Sequence, residues 1–329
     1  MSLTKYPGAL DDNSNMPDRV PFVDLYEAAH MNLVQDAIKA IEAELGTNPS
    51  GNLATLKDRL AGVIDEDGKL IPYFPGTVLT VGPDHCHYTS IQAAIDSITD
   101  ASSSKNYTIL VYPGTYAENI TMKQYVDILG YSRERTIIEG KLTPAIHTDI
   151  SNITIQKALP NDYLVDTSGV YSLTFHYVTI YNTDEGGAVK NSGGASGVRF
   201  YHCELHTENE DDLDYYPYYN NGVCASFYYT TFQQSSCCPV RFGPNAYGQP
   251  HFENCKFLGG GAGIYWEANA GGTPTVLFSF FDNNNHAFQA ADQQYCFASG
   301  IVANCPFADI YHNVTNLAEH PVESTIYQE

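Results

Sequence analysis

The chain has 329 residues, 43% of them hydrophobic, and a formal net charge of −22 with only 16 Lys and Arg. That apolar content supports a sizeable core, and the scarcity of positive charge argues against nucleic acid, whose phosphates need a basic face. No stretch is long and apolar enough for a transmembrane helix, and 26 Gly and 25 Tyr beside one Trp suit a turn-rich β protein with no membrane partner.

The opening MSLTKYPGALDDNSNMPDRV lacks the apolar run of a secretion signal. The expectation is a protein made in the cytoplasm, staying there or leaving by lysis within a particle. A helix is predicted over about 23–45, where Met31, Val34, Ile38, Ile41 and Leu45 recur at steps of 3, 4, 3 and 4. This seam reads equally as a helix packed on its own chain or as an oligomerisation and docking helix. Gly46 is a natural stop, a second short helix follows over about 53–62, and DEDGKLIPYFPG is a linker. The division is thus a helical module over 1–70 and a second domain over 71–329.

The large domain begins near Thr77. In YTSIQAAIDSI, Thr89 is the expected N-cap with Gln92 three residues on, and Ile91, Ala94, Ile95 and Ile98 form one apolar face. Such a helix suits the open end of a solenoid, which otherwise exposes its core and unpaired strand edges. Strands follow in YTILVYPGTY, VDILGY, TIIEG and NITIQKAL.

From Leu173 to Phe281 the chain repeats: SLTFHYVTIYN, GVRFYHCELHT, CASFYYTTFQQ, QPHFENCKFLG, TVLFSFFDNNN. The anchors Phe175, Phe200, Phe227, Phe252 and Phe278 are 25, 27, 25 and 26 residues apart. Apolar residues alternate within each unit, as strands require, with a short bend between two runs. No unit can bury its inward row alone, so the units stack into a solenoid of parallel β coils. The eight Cys form no CxxC pair, so zinc is not expected, and Cys203 and Cys255 fall at one place in coils two apart, pointing inward as small hydrophobes.

The order SIQAAIDSI, ILVYPGTYAENI, DILGYSRERTIIEG between Tyr88 and Gly140 resembles the opening of pectin-lyase-like β-helix proteins, most of all pectin methylesterases. The resemblance implies a mainly β chain with a right-handed, single-stranded parallel β-helix. The catalytic strings of the esterases, of QDTL, DFxFG and GRPW type, are missing, so their chemistry does not carry over. A second resemblance covers Met1 to about Lys69. TKYPGALDDNSNMP and AIKAIEAELGTNPSG resemble the N-terminal region of tailed-bacteriophage virion proteins, where a short helical module precedes a variable domain. It implies a structural protein of fibre, spike or decoration type, located in the virion, bound to other virion proteins through residues 1–70 and assembled as a homotrimer.

The most unusual local run is HTENEDDLDYYPYYNNG, where Glu208, Glu210, Asp211, Asp212 and Asp214 sit beside Tyr215, Tyr216, Tyr218 and Tyr219. It reads first as a solvated acidic loop or a loop packed on a neighbouring subunit. Carboxylates and aromatic rings also suit host surface polysaccharide, and hard oxygens suit Ca²⁺, although the spacing matches no EF-hand. No other cofactor is expected. Glycoside hydrolysis needs two carboxyl groups across a cleft; the candidates are Asp184, Glu185, Glu204 and Glu253, with Glu204 and Glu253 read at similar coil positions. The basic residues of the middle coils, Lys190, Arg199, Arg241 and Lys256, form no evident cluster with acids in the sequence. The expectation is a structural virion protein, with a polysaccharide-cutting tailspike or a pectinesterase-like carbohydrate esterase as the enzymatic alternatives.

Overall fold

From Val78 onward the chain runs through three short strands per coil, each paired in parallel with its counterparts in the neighbouring coils. The computed structural model describes residues 77–324, except 195, 209–214, 224, 235–237, 260, 272, 283, 285, 292–293, 300, 306–307, 312–313 and 317–322. The helical module expected over 1–70, with its seam from Met31 to Leu45, lies outside the described residues. Among those described, three sheets hold 11, 10 and 9 strands. The first sheet includes Tyr171–His176, Ser196–Tyr201 and Ser226–Tyr228; the second Thr179–Asn182, Glu204–Thr207 and Thr231–Gln234; the third Tyr163–Asp166, Gly187–Asn191 and Tyr218–Asn220. This is the mainly β, parallel β-helix that the repeat predicts.

Alternation places every second residue inside. Phe175, Phe200, Phe227 and Phe252 are in register on adjacent strands, wholly buried, and stacked at 4.7, 4.8 and 5.1 Å. The fifth anchor differs from the sequence expectation. Val276, not Phe278, pairs with Phe252, so this coil advances by 24 residues. Phe278 lies two positions on, at a bend, and is 62% exposed.

That bend recurs in six successive coils between the first and second sheets. Asn152, Tyr177, His202, Tyr229, Asn254 and Phe278 all adopt φ between 50° and 56°. Asn tolerates this left-handed region best, and larger residues cost about 1–2 kcal/mol there. Stacking of Tyr177 on His202 and of His202 on Tyr229, each at 4.7 Å, helps offset that cost. The turned residue resets the alternation, so its successor points inward: Val178, Cys203, Thr230, Cys255 and Ser279 are all buried. Cys203 and Cys255 thus share one column, as expected. Burial pushes both thiols up to about 12, which makes them core groups and not nucleophiles.

One helix is described, Ile91–Ser97, and it closes the start of the solenoid with Ile91, Ala94 and Ile95 fully buried. Its N-cap is Ser90, not Thr89, whose Oγ accepts from Ala93 N at 3.2 Å. Gln92 does not complete a capping box; its Oε1 accepts from Thr121 N at 2.7 Å. A stronger acceptor arrives from the next coil. Glu118 takes hydrogen bonds from Ser90 Oγ (2.6 Å), Ile91 N (2.8 Å) and Gln92 N (3.1 Å). The Glu of PGTYAE is therefore a helix cap. The glycines of the following string serve packing: a Cβ at Gly130 would stand 2.2 Å from the Asn152 carbonyl oxygen, and one at Gly140 2.0 Å from that of Glu118.

Candidate functional site

The outward row of the third sheet reads Asp166, Lys190, Tyr219, Arg241, Tyr265 in register across consecutive coils. Of this row, Lys190, Tyr219 and Arg241 line a cleft of about 450 Å³, with Asn161, Asp162, Tyr163, Tyr215, Tyr216, Pro244 and Glu267. That volume lies in the range of small-ligand sites. Two glycines make room for its rings. A Cβ at Gly187 would stand 2.0 Å from the Tyr163 ring, and one at Gly243 would stand 2.3 Å from the Tyr219 hydroxyl. Tyr163 can therefore lie across the neighbouring strand, 5.5 Å from the Tyr215 ring and 6.3 Å from the Tyr219 ring.

Hydrogen bonds and ion pairs hold these side chains in place. Tyr215 donates to the Asn161 carbonyl at 2.7 Å, and the Tyr163 hydroxyl accepts from Tyr216 N at 3.3 Å. Arg241 pairs through Nε with Glu267 Oε1 at 2.7 Å, donates through Nη1 to the Tyr216 hydroxyl, and lies 4.8 and 5.2 Å from the Tyr216 and Tyr265 ring centres. Burial works against its charge, but Tyr216 and Glu267 outweigh burial and raise its pKa. Lys190 Nζ is 3.3 Å from Asp166, and Lys141 Nζ is 2.5 Å from Asp162. Burial acts to raise the Asp162 pKa, yet the bonds from Lys141 and Tyr163 N bring it below the usual carboxylate value. The cleft offers rigid ring faces, guanidinium and ammonium donors and carboxylate acceptors, which suits binding of a polyhydroxylated molecule.

The structure scatters the carboxylates proposed for hydrolysis. Asp184 and Glu185 lie in the turn from the second sheet to the third, where Asp184 Oδ1 accepts from Glu185 N at 2.8 Å. Glu204 is on the second sheet, 3.2 Å from Arg133 Nη1. Glu253 is on the first sheet, 3.2 Å from His251 Nε2. Glu204 and Glu253 do not share a column, because the left-handed bend falls after Glu253 but before Glu204. Of the tyrosine–acid run, Tyr215, Tyr216 and Tyr219 reach the cleft, whereas Tyr218 is fully buried in the core and Glu208 is exposed. Glu210, Asp211, Asp212 and Asp214 lie outside the described residues. No group of three or more His, Cys, Asp or Glu among the described residues is arranged to hold a metal ion.

Sequence reasoning found no acids for Lys190 and Arg241, yet the fold supplies Asp166 and Glu267, each one coil away. It also passed over Tyr163 and Asp162. The offset of about 25 residues between partners was the available signal.

The described carboxyl group displaced to a pKa of about 6 is on another face. Burial raises Asp127, a hydrogen bond from Asp149 N (2.8 Å) opposes the rise, and the Asp149 charge adds to it. The folded pKa lies above the ordinary aspartate value of 3.8, so native protein holds this proton more tightly than unfolded protein. This contribution is full below the unfolded pKa and is lost as pH rises through about 6. Asp127→Asn should therefore stabilise the chain by about 1 kcal/mol at pH 7.5, allowing for solvent screening, and much less at pH 4. Urea unfolding at the two pH values checks this; an equal effect at both would contradict it.

No protein-family model matches the chain, and no curated protein matches its sequence. Among solved structures, the Agl-KA catalytic domain aligns at TM-score 0.50 and 12% identity, over 74% of this chain and 59% of that one. Pectin methylesterase from carrot aligns at TM-score 0.45 and 12% identity, over 75% and 84% of the two chains. Pectin methylesterase from Yersinia enterocolitica aligns at TM-score 0.45 and 14% identity, over 70% and 94%. At such identities the likeness concerns the fold alone. The chain is a parallel β-helix protein.

Proposed function

We propose that the chain is a structural virion protein of a tailed bacteriophage, its β-helix a rigid body and its third-sheet cleft a contact for host surface carbohydrate. The observation that carries the carbohydrate contact is the cleft itself: tyrosine rings seated over glycines, with every charged side chain lining it already ion-paired. Rings offer apolar faces to sugar CH groups, and fixed ionic groups supply directional hydrogen bonds. The virion role rests on the N-terminal strings TKYPGALDDNSNMP and AIKAIEAELGTNPSG.

Tyr215→Ala removes a half-buried ring from the cleft wall. It should weaken binding of host surface polysaccharide at least fivefold, about 1 kcal/mol, while thermal unfolding changes little. Calorimetric titration of wild type and variant measures this; equal affinities would remove the cleft from the account. Mass spectrometry of purified particles tests the virion role separately. Peptides of this chain should appear at a fixed ratio to the tail proteins, and their absence would exclude that role.

A further inference from the structure

The charges of the third-sheet cleft cancel locally, pair by pair. Arg241 is matched by Glu267 at 2.7 Å, Lys190 by Asp166 at 3.3 Å, and Asp162 by Lys141 at 2.5 Å. Every Lys, Arg, Asp and Glu in the described lining is among these six. The surroundings are acidic. The chain carries a formal net charge of −22, and positions 208–214, directly before Tyr215, hold five carboxylates and no Lys or Arg. A cleft built to capture an anion would keep a cation for it, as carboxylate and phosphate sites do.

Arg241 is the group best suited to hold an acidic ligand, and the protein already engages it. Nε donates to Glu267, and Nη1 donates to the Tyr216 hydroxyl. The guanidinium carbon lies 4.8 Å from the Tyr216 ring centre and 5.2 Å from that of Tyr265, and this stacking on two rings fixes its place. The side chains of Arg241 and Glu267 are 22% and 24% exposed, which makes theirs the most shielded of the three pairs. A sugar carboxylate entering here would lose hydration beside Glu267 and meet a guanidinium already neutralised, so its desolvation would go unmatched. A hydroxyl meets no such obstacle. It can donate to a carboxylate and accept from an N–H at once. A carboxylate has about four lone-pair sites and a guanidinium five N–H groups, more than their mutual bond uses.

We propose that the cleft selects uncharged sugars over uronic acids, and that Glu267 sets this preference by neutralising Arg241. The inference rests on the carbohydrate contact proposed above and names the class of sugar it takes. Asp166 does the same for Lys190, which stands two coils before Arg241 in the same outward row, with Tyr219 between them. A glycan laid along the row therefore meets both neutralised pairs.

Calorimetric titration of the full chain tests this with gluco-, galacto- and manno-configured hexasaccharides, each as the neutral sugar and as its uronic acid. The best neutral ligand should bind about tenfold tighter than its uronic acid, or more. Its affinity should be the same in low and high salt, because no net charge is brought together. Glu267→Gln keeps an acceptor for Arg241 Nε but removes the opposing charge, so uronate affinity should rise about fivefold, a gain that high salt should abolish. Asp166→Asn should shift the preference in the same direction through Lys190, and it carries the test if the first variant does not fold. Uronates bound by wild type as tightly as neutral sugars, or an unchanged preference in the folded variants, would overturn the inference while leaving the carbohydrate contact standing. Binding of neither series would overturn that contact, and the inference with it.

Discussion

Phe227→Ala should lower the unfolding free energy of the β-helix by about 3–5 kcal/mol. The ring is fully buried, lies between Phe200 and Phe252 at 4.8 and 5.1 Å, and meets Tyr218 and Phe232 edge-on at 4.7 and 5.0 Å. Removing it opens a cavity that flanking strands, fixed by ladders on both sides, can close only in part. Phe278→Ala is the control. That ring is 62% exposed and sits at a bend, so its removal should cost less than about 1 kcal/mol and could relieve left-handed strain if glycine is used instead. Urea unfolding of the two variants separates them; similar losses would mean that the column runs through Phe278 after all.

Glu118→Ala should cost about 2–3 kcal/mol, the second-largest effect. One carboxylate takes three hydrogen bonds at the start of the capping helix, two from backbone N–H groups that have no partner within a helix. Its loss loosens Ile91, Ala94 and Ile95, which cover the first strands. Glu118→Gln keeps the shape and one acceptor oxygen, so it should fall between wild type and alanine. Hydrogen exchange should show amides of Ile91–Ser97 and Val78–Val81 losing protection first, because stacked coils transmit instability mainly to their neighbours. Uniform loss along the solenoid, or none, would argue against a capping role.

Much of the fold was legible because two periods coexist in the sequence: two residues within strands and about 25 between coils. The inward column Phe175, Phe200, Phe227, Phe252 follows from them directly. The misreading at Phe278 came from a coil of 24 residues, whose inward position is filled by a smaller β-branched Val276. Glu204 and Glu253 were confused for a different reason. A single left-handed residue at each bend advances the alternation, and positive φ at Tyr177 or Tyr229 has no signature in residue type, unlike Asn152 or Asn254. The helix cap was missed because its acceptor, Glu118, is 28 residues from Ser90.

The cleft was half legible. Tyr215, Tyr216 and Tyr219 stand together in one run, but Tyr163 comes from two coils earlier, and Arg241 and Glu267 join from later ones. Counting charges by region concealed pairs that lie one coil apart. The row Lys190, Tyr219, Arg241, Tyr265 becomes visible only with correct strand register.

The central claim is a cleft that holds carbohydrate without cutting it. Incubating the full chain with host surface polysaccharide, then measuring retained polysaccharide and new reducing ends in the same sample, tests it most directly. The account predicts retention that falls in Tyr215→Ala, with no release of reducing ends. Release of reducing ends by the wild-type chain, or no retention, would contradict it.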